Sequence, residues 1–316
     1  MATTTSITTT YAGEKAGKYI SAALLSGNTI ANGGLTIRPN VKFKEVVKRL
    51  ELDGIVKDGT CDFSDTSTLT LTERILQPEE FQVNLELCKK DFRSDWDAIQ
   101  MGYSAFDNLP KTFQDYLIMH VAAKVATKTE NTIWKGVNAT AGEYDGFEVL
   151  LAADAALPAA NEVTGTTVTA ANVVTELGKV VDAIPDALYG EESFHIYVSQ
   201  NIFRAYKRSL GGFGSGGLGA AGVGAMGNNQ DVNIVWFDGV KIFMANGLSA
   251  NTMIATTKDN LWFGTGLMSD QNEVKVLDMA DLDGSQNVRV IMRFTAGIQY
   301  GVVEDIVTYG ITNGAN

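Results

Sequence analysis

The longest amphipathic pattern along the chain lies in residues 108–136, which read NLPKTFQDYLIMHVAAKVATKTENTIWKG. Apolar side chains recur there at four-residue spacing, as on one face of an α-helix. They are Phe113, Leu117, Val121 and Val125. Pro110 suits the first helical turn and Gly136 suits the end. The pattern predicts one uninterrupted helix over 109–136, about 40 Å long at a rise of 1.5 Å per residue.

Two stretches before this helix alternate apolar and polar residues with period two, which is typical of half-exposed strands. Residues 66–72 read TSTLTLT and continue through 74–76, and residues 81–87 read FQVNLEL. Pro78 separates the two stretches. They predict a two-stranded hairpin with both faces exposed to solvent. Such a hairpin is marginal alone, so it needs a surface to lie against, and another chain is one candidate.

The N-terminal segment, residues 1–50, is poor in core-forming residues. Its Thr-rich start, residues 1–12, has nothing to bury and predicts a flexible arm. Residues 14–25 predict a short helix, and residues 35–47 are extended around Pro39. Two interpretations stay open: a surface N-terminus, which is the commoner case, or an arm ordered by a neighbouring subunit.

Residues 147–280 carry a different pattern, in which helices and buried strands are mixed. The predicted helices are 171–184 and 201–210, and the predicted strands are 194–198, 232–237, 240–245, 253–256 and 261–264. Asp238-Gly239 is a two-residue hairpin signal. Residues 273–277 and 288–294 predict further strands, and 297–300 and 302–307 close the chain. Together these elements predict the α+β fold class.

The composition of the chain excludes several classes of protein function. The chain has 316 residues, 45% of them hydrophobic, and a net charge of −12. This acidic charge argues against a protein that binds specific DNA sequences, because such a protein carries a basic face. It is compatible with a protein that encloses DNA in a compartment without binding it tightly.

Cys61 and Cys88 are the only cysteines, which excludes a disulfide framework and a cysteine zinc site. The N-terminus resembles no secretory signal, and no apolar run is long enough for a membrane span, so we expect a soluble protein made inside a cell.

Candidate chemistry is sparse. The two histidines, His120 and His195, are 75 residues apart and are predicted to be packing residues. The sequence Gly212–Gly217 matches GxGxxG, but it follows a predicted helix within the Gly-rich loop 211–229 and predicts a loop rather than a phosphate site. Asp278, Asp281 and Asp283 have the wrong spacing for a calcium loop and predict a solvated acidic turn.

HExxH, GxSxG and Walker A patterns are absent from the sequence, and nothing nominates an activated Ser or Cys nucleophile. We therefore predict no catalytic, cofactor-binding or metal-binding residue, and no enzyme.

Two local sequences and the order of the elements resemble a known family. The first runs from LTIRPNVK at 35–42 through Thr60-Cys61-Asp62-Phe63, and the second runs from LELCKKDF at 85–92 into DNLP at 107–110. The chain resembles the major capsid proteins of tailed double-stranded DNA bacteriophages, which have the Hong Kong ninety-seven type capsid fold.

The resemblance implies four parts, which we expect at the following boundaries. They are an N-terminal arm (1–50), an extended β-hairpin loop (51–92), a peripheral domain (93–146 and 281–316, with a spine helix at 109–136) and an axial domain (147–280). It further implies hexamers and pentamers that close into an icosahedral head around double-stranded DNA, in a virion assembled in the bacterial cytoplasm. Implied partners are further copies of the chain, a portal, scaffolding proteins and decoration proteins, with no membrane.

Two alternatives remain at this stage. The same fold serves as an encapsulin-like nanocompartment shell, which would carry cargo enzyme rather than DNA. Less favoured is a soluble α+β enzyme that uses the Gly-rich loop as a phosphate cradle.

Overall fold

In the computed structural model, the described residues are 28–53, 56, 58–59, 61, 68–88, 111–210, 235–266, 274–279 and 284–314. Within these ranges the helices are α1 (Asn28–Ala31), α2 (Lys111–Lys135), α3 (Phe147–Ala153), α4 (Val173–Asp182) and α5 (Gln200–Leu210). The predicted segments 1–12 and 14–25 lie outside the described residues.

The strands in the described part run as follows. They are β1 (Thr36–Arg38), β2 (Glu45–Asp53), β3 (Thr68–Leu76), β4 (Glu79–Cys88), β5 (Glu162–Val163), β6 (Phe194–Val198), β7 (Val235–Phe237), β8 (Val240–Met244), β9 (Met253–Thr257), β10 (Leu261–Gly264), β11 (Val274–Asp278), β12 (Asn287–Tyr300) and β13 (Val307–Tyr309). The fold is therefore a mixture of helices and sheets, as the sequence predicts.

A five-stranded sheet is built on β12, the longest of these strands. β10 and β11 both pair antiparallel with β12, β1 pairs parallel with β10, and β4 pairs antiparallel with residues 287–296 of β12. One face of this sheet carries Val276, Val290 and Met292, which form a buried cluster with Val125 of α2. The amphipathic long helix thus covers an apolar sheet face, which is the normal way for both to exclude water.

A six-stranded sheet has the order β5-β13-β9-β6-β8-β7. Helices α4 and α5 cover one of its faces, where Leu177 and Phe203 pack in one buried cluster with Ile196 of β6. The turn between β7 and β8 is the predicted one. Asp238 and Gly239 both have positive φ, at 47° and 79°, as a two-residue hairpin turn of this type requires.

The main core lies where the C-terminal end of α2 meets both sheets. Trp134 is fully buried, with its ring centroid 5.5 Å from Phe147 and 5.3 Å from Tyr197 of β6. The same cluster includes Tyr300 of β12. One aromatic anchor on α2 therefore contributes to a core shared by the two sheets.

A buried polar network ties the start of the described chain to α2. The hydroxyl of Thr29 donates to Oε1 of Glu130 at 2.6 Å, and the backbone N–H of Thr29 donates to Oε2 at 3.0 Å. The indole N–H of Trp134 donates to the same hydroxyl at 2.8 Å. All three residues are buried, so these bonds satisfy groups that water cannot reach.

The predicted pairing of the two alternating stretches with each other is wrong. β3 pairs antiparallel with β2, which the sequence analysis assigned mostly to the N-terminal arm, and β4 pairs with β12. An alternating pattern of apolar and polar residues indicates a strand, but it does not indicate which other strand will pair with it. The apolar residues of β4 lie opposite Val288, Val290 and Met292 of β12, a better apolar partner than the Thr-rich β3.

Three strands pair across the boundary between the expected axial and peripheral ranges. β10 and β11 fall within 147–280, yet they pair with β12 in the five-stranded sheet. β13 falls within 281–316, yet it pairs with β9 in the six-stranded sheet. A continuous apolar run such as LWFG at 261–264 indicates a buried strand, but its sheet is decided by long-range contacts.

Thr29→Val tests the buried network. Removing the hydroxyl leaves the indole N–H of Trp134 and one carboxylate oxygen of Glu130 buried without their bond. We expect a loss of roughly 2–3 kcal/mol in the free energy of unfolding, measured with urea. Thr127→Val is the matched control, because its exposed hydroxyl bonds only to the Ala123 carbonyl one turn earlier. Equal losses in the two variants would contradict the role of the network.

Candidate assembly interface

The hairpin β2–β3 has two faces that differ in chemistry. Cα partners across the antiparallel pair share a face, and Val46 lies opposite Ile75, Lys48 opposite Glu73 and Leu50 opposite Leu71. Leu69 follows on the same face of β3. The nine residue pairs give the hairpin a length of about 30 Å at 3.4 Å per residue.

The first face carries an exposed apolar stripe, defined here as Val46, Leu50, Leu69, Leu71 and Ile75. Their exposed fractions are 45%, 56%, 53%, 64% and 41%. These are the side-chain types that proteins normally bury. No described residue of the same chain covers them. The exposed pair of Lys48 and Glu73 lies between Val46–Ile75 and the other three side chains, so the face carries two apolar patches of the kind that mark an interface.

The opposite face is fastened to the body through Arg74. Its Nη2 lies 2.6 Å from Oδ2 of Asp154 at the end of α3, and its guanidinium lies 4.9 Å from the ring centroid of Tyr300. The hydroxyl of Tyr300 donates to the same carboxylate oxygen at 2.6 Å. Burial, followed by the bond to Asp154, raises the pKa of Tyr300, so the phenol stays protonated and donating.

The pKa of Asp154 lies below its ordinary value of 3.8. Burial acts to raise this pKa, but hydrogen bonds from Tyr300, the backbone N–H of Ala156 and Arg74, together with the charge of Arg74, outweigh it. The carboxylate is therefore held charged at neutral pH, where it anchors the base of the hairpin.

Two further contacts fix the same face. Nη1 of Arg49 lies 2.6 Å from Oε2 of Glu304, in a pair that remains partly exposed. Leu76, at the end of β3, is fully buried beside Gly264, where a Cβ atom would come within 2.9 Å of its Cδ2. The hairpin is thus held by its base, and the stripe faces away from the body.

A second apolar surface lies elsewhere on the chain, as a groove between α2 and β4. Its volume is about 470 Å³, and its lining includes Phe81, Val83, Leu85, Val121 and Val125. Lys124 and Lys128 also line it and are exposed. The hydroxyl of Tyr144, another lining residue, is buried without a hydrogen-bond partner in the structure.

His195 sits in the six-stranded sheet. It is buried, and its Nδ1 lies 2.7 Å from the carbonyl oxygen of Ser193, to which it donates. Burial, followed by the charges of Lys241 and Lys258, lowers its pKa, while the bond to Ser193 acts against this. His120 lies in α2, with its side chain outside the described part of the chain.

The structure brings none of the other sequence candidates together. Gly212–Gly217 and the rest of loop 211–229 lie outside the described residues, and so do Asp281 and Asp283; Asp278 ends β11. Cys61 is an exposed free thiol, and Cys88, at the end of β4, is also free. Among the described residues, no group of three or more His, Cys, Asp or Glu is placed to hold a metal ion.

No helix in the described part of the chain combines the length and apolarity needed to cross a bilayer.

Comparison with known proteins gives different results for the sequence and for the fold. No protein-family model and no curated protein sequence matches the chain. Solved structures do match. A structure of Mycobacterium phage Ogopogo superposes with a TM-score of 0.57 at 12% identity, over 90% of this chain and 92% of that chain. The chain has the Hong Kong ninety-seven type capsid fold.

Two further capsid structures agree with this assignment. The capsid of an empty GTA particle gives a TM-score of 0.55 at 12% identity, over 91% of this chain and 90% of that chain. The capsid of Myoviridae phage XM1 gives 0.53 at 12% identity, over 90% and 91%. The resemblance drawn from the sequence is confirmed at the level of the capsid fold, over nearly the whole chain.

The sequence pattern did not point to two of the five residues of the apolar stripe. Val46 and Leu50 lie in β2, which was assigned to an arm with little to bury. The signal was present, because the segment EVVKRLELD places Val46, Leu50 and Leu52 with period two around Lys48. The charged residues between them obscured the alternation.

Asp154→Asn tests the anchor through its pH dependence. The folded pKa lies below the ordinary 3.8, so the carboxylate contributes stability above about pH 4, and that contribution is lost as the pH falls through the lowered value. We expect the variant to lose roughly 2 kcal/mol at pH 7 in urea unfolding. The gap between variant and wild type should shrink towards pH 3. A gap that stays constant between pH 7 and pH 3 would contradict the anchor.

Glu304→Gln is the control for this prediction. The ion pair that it breaks is partly exposed and screened by solvent, so it contributes less than about 1 kcal/mol.

Proposed function

We propose that this chain is a major capsid protein, which assembles into the hexamers and pentamers of an icosahedral head around double-stranded DNA. The observation that carries the proposal is the apolar stripe, held outward on an anchored hairpin of a chain with the capsid fold. A monomer would leave this stripe in water, whereas an assembly buries it.

The energetics favour association through the hairpin. Full burial of a Val, Leu or Ile side chain is worth about 1.5–3 kcal/mol, and five such side chains are about half exposed. Covering them supplies several kcal/mol per subunit contact. Association has entropic costs of the same order, so each contact is modest and many contacts per shell add up.

The sheets suggest how the capsid parts map onto the chain. We assign α2 and the five-stranded sheet to the peripheral part, and the six-stranded sheet with α4 and α5 to the axial part. The hairpin β2–β3 is the extended loop that reaches a neighbouring subunit.

The charge of the chain fits a DNA-filled lumen. A net charge of −12 gives weak repulsion from the phosphate backbone, so DNA packs inside the shell without adhering to it. We place the protein in the virion, after assembly in the host cytoplasm.

A portal and scaffolding proteins are the further partners that we propose for this role, and decoration proteins are candidates. A solved satellite phage P4 procapsid, which also matches this fold with a TM-score of 0.52 at 9% identity, includes a size determination protein. A separate protein that sets shell size is thus one partner to look for here.

Electron microscopy of the purified chain tests the function directly. We expect closed icosahedral particles, with DNA inside when the chain is made during phage growth. Particles that co-purify with an enzyme and lack DNA would instead indicate a nanocompartment shell. A chain that stays monomeric under all conditions and is stabilised by nucleotides would overturn both interpretations.

Leu50→Ser combined with Leu71→Ser tests the stripe. Both side chains are exposed, so we expect the subunit to stay folded, with a melting temperature within a few degrees of wild type. Particle yield, measured by sedimentation, should fall at least tenfold because each subunit contact loses much of its buried apolar area.

Val174→Ser is the control, because this exposed valine lies on α4, away from the hairpin. Wild-type particle yield from the double Ser variant would rule out an intersubunit role for the stripe.

A further inference from the structure

We propose that one face of the six-stranded sheet binds a nucleotide unit of single-stranded nucleic acid, with the phosphate beside Lys241 and Lys258 and the base stacked on Trp236. His195 completes this group of side chains, which is called the β6–β8 site below. The inference goes beyond the proposed shell function and does not depend on it.

The strand register brings three residues of the β6–β8 site into one row. Trp236 of β7 lies opposite Lys241 of β8, and Lys241 lies beside His195 of β6. Paired residues of neighbouring strands share a face, and strands are about 4.8 Å apart, so the row spans about 10 Å. Two positions further along β6 and β8, Tyr197 and Phe243 belong to the main core. The row therefore runs from the edge of the core at His195 out to solvent at Trp236.

Lys258 joins the same group from the turn that follows β9. Its backbone N–H donates to the carbonyl oxygen of Ser193 at 3.1 Å, and Nδ1 of His195 donates to that same oxygen at 2.7 Å. Burial, followed by the charges of Lys241 and Lys258, lowers the pKa of His195, so both ammonium groups act on its ring. Two cations from different elements are thus directed to one place on the sheet.

These two lysines are available for an anion. No ion pair within the described part of the chain involves either of them. Asp259 follows Lys258 directly, but its carboxylate accepts a hydrogen bond from the Thr36 hydroxyl at 3.2 Å. Charges are screened beyond about 8 Å at physiological ionic strength, so the local cations, and not the net charge of −12, govern how a phosphate binds here.

Trp236 provides a flat apolar surface beside the cations. Its side chain is 49% exposed, whereas Trp134 and Trp262 are buried. The strand that carries it is fixed from the opposite face of the sheet. There the Tyr206 hydroxyl donates to the Trp236 carbonyl oxygen at 2.9 Å, and the Tyr206 ring lies 5.8 Å from that of Phe237. An exposed indole ring on a fixed strand is a suitable platform for an unpaired base.

The combination of groups favours a nucleotide over a simpler ligand. Cations beside an aromatic ring match a phosphate beside a base, which is the pairing used by proteins that bind single strands. A free phosphate would use the lysines but leave the ring in water. A duplex keeps its bases stacked on one another, so we expect an unpaired strand to bind more tightly.

Binding of fluorescently labelled oligo(dT) to the purified chain, followed by anisotropy at fixed salt, tests the phosphate contacts. Lys241→Gln combined with Lys258→Gln should weaken binding roughly tenfold, because two cations that contact the phosphate are lost. Arg204→Gln combined with Arg208→Gln is the matched control. It removes the same charge from α5, which covers the opposite face of the sheet, and should leave the affinity unchanged.

Trp236→Ala tests the base contact separately. We expect a roughly tenfold loss of affinity for oligo(dT), because the stacked base loses its platform. Competition by inorganic phosphate should be unchanged, since phosphate has no base to stack. Phe43→Ala removes an exposed ring that lies outside the six-stranded sheet and should keep wild-type affinity.

The outcomes are independent of the test for shells. Weaker binding in the lysine and tryptophan variants, with both controls at wild-type affinity, establishes the β6–β8 site whether or not particles form. Equal weakening by the arginine pair would show general attraction between charges and overturn the site. Wild-type affinity after Trp236→Ala, equal binding of duplex DNA, or no binding of oligo(dT) would each overturn it as well, while the shell function stands.

Discussion

The buried end of α2 is the constraint on which the rest of the molecule depends. Trp134 packs between Phe147 and Tyr197, and its indole N–H is satisfied by Thr29. The loop after β8 approaches so closely that a Cβ atom at Gly247 would come within 2.2 Å of the Glu130 carbonyl oxygen. The last turns of one helix therefore position both sheets and helix α1.

This arrangement explains how a subunit can be rigid and yet carry a projecting hairpin. The core holds α2, β12 and the six-stranded sheet together, and β12 presents Tyr300 to the base of the hairpin. There Arg74 is bound by a carboxylate and an aromatic ring at once. A charged hydrogen bond with partial burial fixes orientation better than an exposed ion pair does. The stripe is consequently displayed in a defined direction.

The described part of the chain leaves two apolar surfaces uncovered. An isolated subunit exposes the stripe on the hairpin and the groove between α2 and β4, which is costly in water. Under the proposed shell-forming function, association with further copies would cover apolar surfaces of this kind.

The elements of the fold could be predicted well from local pattern. The long helix, the buried strand FHIYV, the Asp238-Gly239 turn and the alternating β3 and β4 all lie where periodicity and turn chemistry place them. The resemblance to the capsid fold followed from the sequence as well. Part of the candidate interface could also be predicted, because Leu69 and Leu71 alternate with threonines.

What the sequence by itself determined is which segments form helices and strands, because those choices depend on neighbours within a few residues. Only the tertiary structure decided the partners. β3 joins β2 and not β4, β13 joins the six-stranded sheet, and Leu50 joins Leu71 on the outer face. Each of these pairings depends on contacts between residues that are distant in sequence. The burial of apolar area, the strand register and the buried hydrogen bonds together decide between the possible partners, and the local periodicity of the sequence does not encode that choice.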